Sequence, residues 1–128
     1  VLLAPFALRV VAIEESAAAI RDTAINAMGI DNITFIERKT EDALASMEDR
    51  PDVVILDPPR TGCHSDVLNS LVSRAPGRVV YVSCEPETLA RDLVVLVRGG
   101  YRVVSVEPVD MFPQTHHVEC VVTLTWDH

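Results

Sequence analysis

The chain has 128 residues, 48% hydrophobic and 23% charged, with 11 basic and 19 acidic residues giving a net charge of −8. That length allows one domain with a real core, and the composition excludes a disordered chain. The acidic balance argues against a surface that grips nucleic acid broadly, and no apolar run reaches the roughly 18 residues of a membrane span.

The opening "VLLAPFALRVV" reads like the middle of a helix running into a strand, as though the chain were cut from a longer protein. "RVVAI" (9–13) is a strand, and "SAAAIRDTAINAMG" a helix with Ala17, Ile20, Ala24 and Ala27 or Met28 at helical spacing and Gly29 as its stop. "NITFI" (32–36) is a strand and "TEDALASMED" (40–49) a short helix. "PDVVILDPP" (51–59) holds a strand without polar alternation, the pattern of a strand covered on both faces. "SDVLNSLVSRA" (65–75) is an amphipathic helix, "GRVVYVSC" (77–84) another buried strand, and "PETLARDLVVLVRGG" (86–100) a helix that starts on Pro86 and stops at Gly99-Gly100. Strands at 101–109 and 118–126 close the chain, joined by "DMFPQTHH". The alternation predicts an α/β sheet with right-handed crossovers. The last connection is too short for a parallel crossover, so the final strand runs antiparallel.

In an open α/β sheet, ligands sit outside the carboxyl ends of the parallel strands. Glu14 follows "VVAI", Asp57 follows "VVIL" and Cys84 follows "VVYVS", so all three are expected on that edge. The antiparallel last strand starts there and returns Glu119 to the same edge. Each group taken singly has a plainer role. Cys84 could be a small core residue, Asp57 a turn or helix cap, Glu14 the cap of the helix near Ser16, and Glu119 an exposed residue of an edge strand. The two prolines after Asp57 stiffen the loop and remove two N–H donors. Cys63, Cys84 and Cys120 are too widely spaced for a disulfide framework or a zinc C-x-x-C pair. Cys63, His64, His116 and His117 match no structural zinc spacing, so no metal is expected; Cys63 and Cys120 read as packing residues. A reducing, cytoplasmic setting fits this usage.

The order "DPPRTG" (57–62), "YVSCEPETLARDL" (81–93) and "DMFPQTHHVE" (110–119) resembles the RNA uracil-5-methyltransferase family, which forms 5-methyluridine in tRNA or ribosomal RNA with S-adenosyl-L-methionine (AdoMet). "VVAIEESAAAI" (10–20) resembles that family's second AdoMet motif. The resemblance implies a Rossmann-like class I AdoMet-dependent methyltransferase sheet, mostly parallel with an antiparallel last strand. It further implies that 1–128 is a single partial catalytic domain lacking its first strand and glycine-rich loop. RNA would then be bound largely through absent N-terminal regions.

By the same resemblance, Cys84 is the nucleophile that adds to C6 of uracil and Glu119 the base that removes the C5 proton. Glu14 would hold the AdoMet ribose and Asp57 the cofactor's methionine end. Arg60 is a candidate for phosphate or substrate contact, or a plain surface residue. One departure is visible: Glu85 stands where the family commonly has Asn, and a carboxylate beside a thiol opposes its ionisation. Two rival chemistries fit less well. Methylation of an exocyclic amine wants an aromatic after Asp-Pro-Pro, where Arg60 stands. Cytosine C5 methylation wants a Pro-Cys pair in that region, and Cys63 follows Thr61-Gly62 instead. A third reading is a truncated, inactive piece of the catalytic domain.

Overall fold

The computed structural model describes residues 1–111 and 118–126. The chain divides into two compact units, Val1–Met47 and Glu48–His128.

In the first unit, β1 (Val10–Glu14) pairs in parallel with β2 (Ile33–Glu37), with α1 (Ala17–Asn26) between them in sequence and α2 (Thr40–Ser46) following. Ser16 caps α1, its hydroxyl accepting the Ala19 N–H at 3.3 Å. Ala27 is buried and Met28 is exposed, which settles the choice between them. The opening residues form a single 3-10 turn over Ala4–Phe6 and then extend, instead of running as a helix. Pro5 occupies the first turn, where its missing N–H costs nothing. The Asn32 amide nitrogen holds the extended exit by donating to the Ala4 and Ala7 carbonyls, both at 2.8 Å.

The second unit is a four-stranded sheet in the order β3-β4-β6-β5, made of β3 (Val53–Leu56), β4 (Arg78–Ser83), β5 (Tyr101–Val109) and β6 (Glu119–Trp126). Helices α3 (Ser65–Arg74) and α4 (Pro86–Arg98) connect β3 to β4 and β4 to β5. β3 and β4 run parallel, and β6 is antiparallel to both β4 and β5. The α4 crossover leaves one strand's width between β4 and β5, and the returning β6 fills it. Glu119 therefore belongs to an interior strand, which removes the edge-strand reading.

Strand alternation separates the two faces. Val79, Tyr81 and Ser83 of β4 lie beside Leu124, Val122 and Cys120 of β6, and all but Cys120 are buried. This is the helix-covered face: Tyr81 reaches α4, and the Tyr101 hydroxyl donates to the α3 carbonyl of Leu71. Fully burying each such aliphatic or aromatic side chain is worth about 1.5–3 kcal/mol. On the opposite face, Val53 and Ile55 of β3 are 50% and 49% exposed within this chain.

Candidate active site

β4 lies between β3 and β6, and its carboxyl end carries the candidate thiol. Ser83 pairs with Cys120 as the last rung between β4 and β6, and the residues next outward on either side are Cys84 and Glu119. Cross-strand neighbours of this kind lie about 5 Å apart between α-carbons. On the other side, Leu56 pairs with Tyr81, which sets Asp57 level with Val82, two residues short of Cys84. That offset is about 6–7 Å along the strand. Asp57 and Cys84 directly follow β3 and β4, and Glu119 opens β6, so all three lie at the same end of this sheet. Asp57 is exposed, while Cys84 and Glu119 are half-buried. Three residues distant in sequence thus share one rim of one sheet.

The turn holding Cys84 is tied down by its neighbours. Buried Ser83 donates its hydroxyl to the Glu85 carbonyl at 3.0 Å and accepts the Glu85 N–H at 3.1 Å. That carbonyl also accepts from the Thr88 hydroxyl at 3.2 Å and from the Leu89 N–H at 3.1 Å, the first turn of α4. The strand therefore ends at Ser83 because its side chain, rather than another ladder bond, satisfies the following backbone. Cys84 stands at the apex of this closed turn, before the N-terminus of α4.

The loop after β3 is fastened to the same helix. Thr88 Oγ1 donates to the Arg60 carbonyl at 2.9 Å, and an Arg91 guanidinium nitrogen donates to the Thr61 carbonyl at 2.9 Å. The Asp92 carboxylate, 0% exposed, accepts the Cys63 N–H at 2.7 Å and the Tyr81 hydroxyl at 2.6 Å on Oδ2. Its Oδ1 accepts from Arg91 Nε at 2.9 Å and from a terminal guanidinium nitrogen at 2.7 Å. Gly62, buried with φ +79, permits the approach: a Cβ there would collide with the Arg91 and Asp92 side chains.

These surroundings distinguish the cysteines. Burial, with the nearby Asp92 charge adding to it, pushes the Cys63 thiol up to about 11, against partial relief from the Tyr81 hydrogen bond and Arg91. Cys63 is a neutral packing residue at physiological pH. Burial, and then its hydrogen bond to Asp92, also raises Tyr81 far above the ordinary phenol range. Cys120 is half-buried within β6, and all three cysteines are free thiols.

Glu14 closes β1 in the first unit and is exposed. Its carboxylate accepts the N–H of Ser16, the residue that caps α1, at 2.8 Å. His64 is the N-cap of α3, its ring Nδ1 accepting the Asp66 N–H at 3.3 Å. Among the described residues no cluster of three or more His, Cys, Asp or Glu could hold a metal, and His116, His117, Phe112 and Pro113 lie outside the described residues.

Asp92, Tyr81, Arg91, Thr88 and Gly62 were not among the sequence candidates. One signal was available: Asp92 interrupts the apolar stripe Leu89–Leu96 on α4, and an acid among core positions demands donors.

The tRNA (Uracil-5-)-methyltransferase family model matches residues 1–127. The chain belongs to this family. An uncharacterized RNA methyltransferase of Gloeobacter violaceus is 50% identical over 124 residues, covering 95% of this chain and 27% of the relative. The crystal structure of Pyrococcus abyssi tRNA (uracil-54, C5)-methyltransferase in complex with S-adenosyl-L-homocysteine matches with a TM-score of 0.83 at 35% identity, over 96% of this chain and 30% of that one. The precorrin-6y C5,15-methyltransferase of Geobacter metallireducens, at 19% identity and a TM-score of 0.71, shares the fold alone, over 93% of this chain and 68% of that one. The chain thus spans about a quarter to a third of the first two proteins. The fold is that of the Rossmann-like class I methyltransferases, and the uracil-5-methyltransferase family is AdoMet-dependent.

Proposed function

We propose that the full-length protein transfers a methyl group from AdoMet to C5 of a uridine in tRNA or ribosomal RNA, with residues 1–128 forming part of one catalytic domain. The activity is assigned to the full-length protein because this chain spans only 27% of the relative's length. The observation that supports the reading is the Ser83–Cys120 rung, beyond which Cys84 and Glu119 are the next residues, with Asp57 just past the end of neighbouring β3.

Two carboxylates suit the cofactor. Glu14 offers an exposed carboxylate at the end of a parallel strand, a paired acceptor for ribose hydroxyls. Asp57 offers a second exposed carboxylate for the methionine end. When bound, AdoMet supplies an electrophilic methyl group.

C5 of uracil is a weak nucleophile, so the residues must activate the ring. The Cys84 thiolate adds to C6, and the C5–C6 π electrons move into the carbonyl to give an enolate. C5 of that enolate would take the methyl group as the sulfonium S–CH3 bond breaks, leaving S-adenosylhomocysteine and a new C5–CH3 bond. Glu119 then removes the C5 proton; those electrons re-form C5=C6 and expel the Cys84 thiolate. Cys63, held as a neutral thiol, cannot substitute for Cys84. Reaching a base within folded RNA requires flipping it out of its stack.

The test is incubation of the full-length protein with AdoMet and RNA containing 5-fluorouracil. Fluorine at C5 cannot leave as a proton, so the reaction should stall as a covalent adduct. Peptide mass spectrometry should find the adduct on Cys84, absent in Cys84→Ala. No adduct despite cofactor binding would return the reading to methylation of an exocyclic amine.

A further inference from the structure

We propose that Asp92 is a positioning residue for this chemistry, clamping the loop after β3 to the helix that follows Cys84 and so setting Asp57 relative to the thiol. The inference rests on the methyltransferase reading above. Loops after adjacent strands are ordinarily free to shift independently. Here α4 anchors its neighbour at Arg60, Thr61 and Cys63, through Thr88, Arg91 and Asp92. Only Asp92 joins all the parts: it takes the loop amide of Cys63, the β4 hydroxyl of Tyr81 and the guanidinium of Arg91.

A carboxylate is an expensive choice at this position. Leu89 and Leu96 flank it on the buried face of α4, where an aliphatic side chain would pack without desolvating a charge. What a leucine could not do is accept the Cys63 amide and the Tyr81 hydroxyl on a single oxygen. Gly62 is the matching half of the fit, since any side chain there would displace the carboxylate from the loop. The consequence is that Asp57, five residues before Gly62, and Cys84, two residues before Pro86, belong to segments tied together by these hydrogen bonds.

The experiment compares wild type, Asp92→Asn and Tyr81→Phe in the full-length protein. It combines peptide-resolved hydrogen exchange, thermal melting and steady-state methylation of RNA. Asn keeps the shape but loses the charge and turns an N–H2 toward a donor. For Asp92→Asn we expect exchange in 57–63 to rise at least about tenfold, with β4 and β6 unchanged. We also expect kcat to fall at least about tenfold while KM for RNA stays within about twofold. Tyr81→Phe should move both readouts the same way by a smaller factor, and it carries the test alone if Asp92→Asn does not fold. A lower melting temperature with unchanged kcat, or exchange raised evenly across the sheet, would make Asp92 a plain structural acid and overturn the proposal. If wild type makes no 5-methyluridine but the exchange response appears, the functional reading fails and the clamp stands without its catalytic purpose.

Discussion

Ser83 and Cys120 form the last rung between β4 and β6, and the next residues outward on the two strands are Cys84 and Glu119. The proposed reaction needs a nucleophile and a base that reach one ring together, and the two candidates directly follow this rung. Its antiparallel sense matters, since only a strand running back toward the rim can begin there.

The pairing predicts separable defects. In Glu119→Gln the thiol adds and the methyl group transfers, but the C5 proton stays. Denaturing gels should then show a covalent protein–RNA complex with ordinary uridine RNA, while turnover falls about 10²–10⁴-fold. Cys84→Ala should show neither complex nor turnover. Normal turnover by Glu119→Gln would remove Glu119 as the base.

Ser83→Ala removes both hydrogen bonds that close the Cys84 turn. The expected loss is about 1–2 kcal/mol, read as a lower urea midpoint with an unchanged m-value. Adduct formation on 5-fluorouracil RNA should also slow. A variant with wild-type stability and adduct rate would show that the turn is held by Thr88 and the α4 backbone alone.

Gly62→Ala places a methyl group against Arg91 and Asp92 at a φ of +79. Backbone strain and the collision together should cost about 1–3 kcal/mol. Differential scanning fluorimetry would report a lower Tm, and an unchanged Tm would mean that the 57–63 loop can pivot away from α4.

The buried acids predict alkaline weakness. Cys63 is raised from 9.0 to about 11 and Tyr101 from 10.0 to about 12, both chiefly by burial. The folded protein therefore holds these protons over a pH range in which the unfolded chain has released them. Their stabilisation is complete below about pH 9 and is lost as pH rises through about 11 to 12. Urea unfolding at pH 8 to 11 should show a falling midpoint, and Cys63→Ala should flatten the portion between about 9 and 11. At pH 8, iodoacetamide should spare Cys63. Early alkylation of Cys63 would mean that the Asp92 assembly opens readily.

The elements and the rim were legible in the residues. Periodicity, Pro86 and the paired glycines are local signals, and the run "VVYVS" ending on Cys84 is a local fact. Because side chains alternate and short connections force antiparallel returns, these facts suffice to bring Asp57, Cys84 and Glu119 to one edge. Tertiary structure decided what depends on packing between distant segments. Nothing local in "ECVVTLTW" states that β6 is interior; that follows from the α4 crossover, which leaves one strand's width between β4 and β5. The same holds for Asp92: its charge and its place in an apolar stripe were visible, but its partners at Cys63 and Tyr81 are 29 and 11 residues away. A sequence displays an unpaired acid, and only folding supplies the donors that make its burial possible.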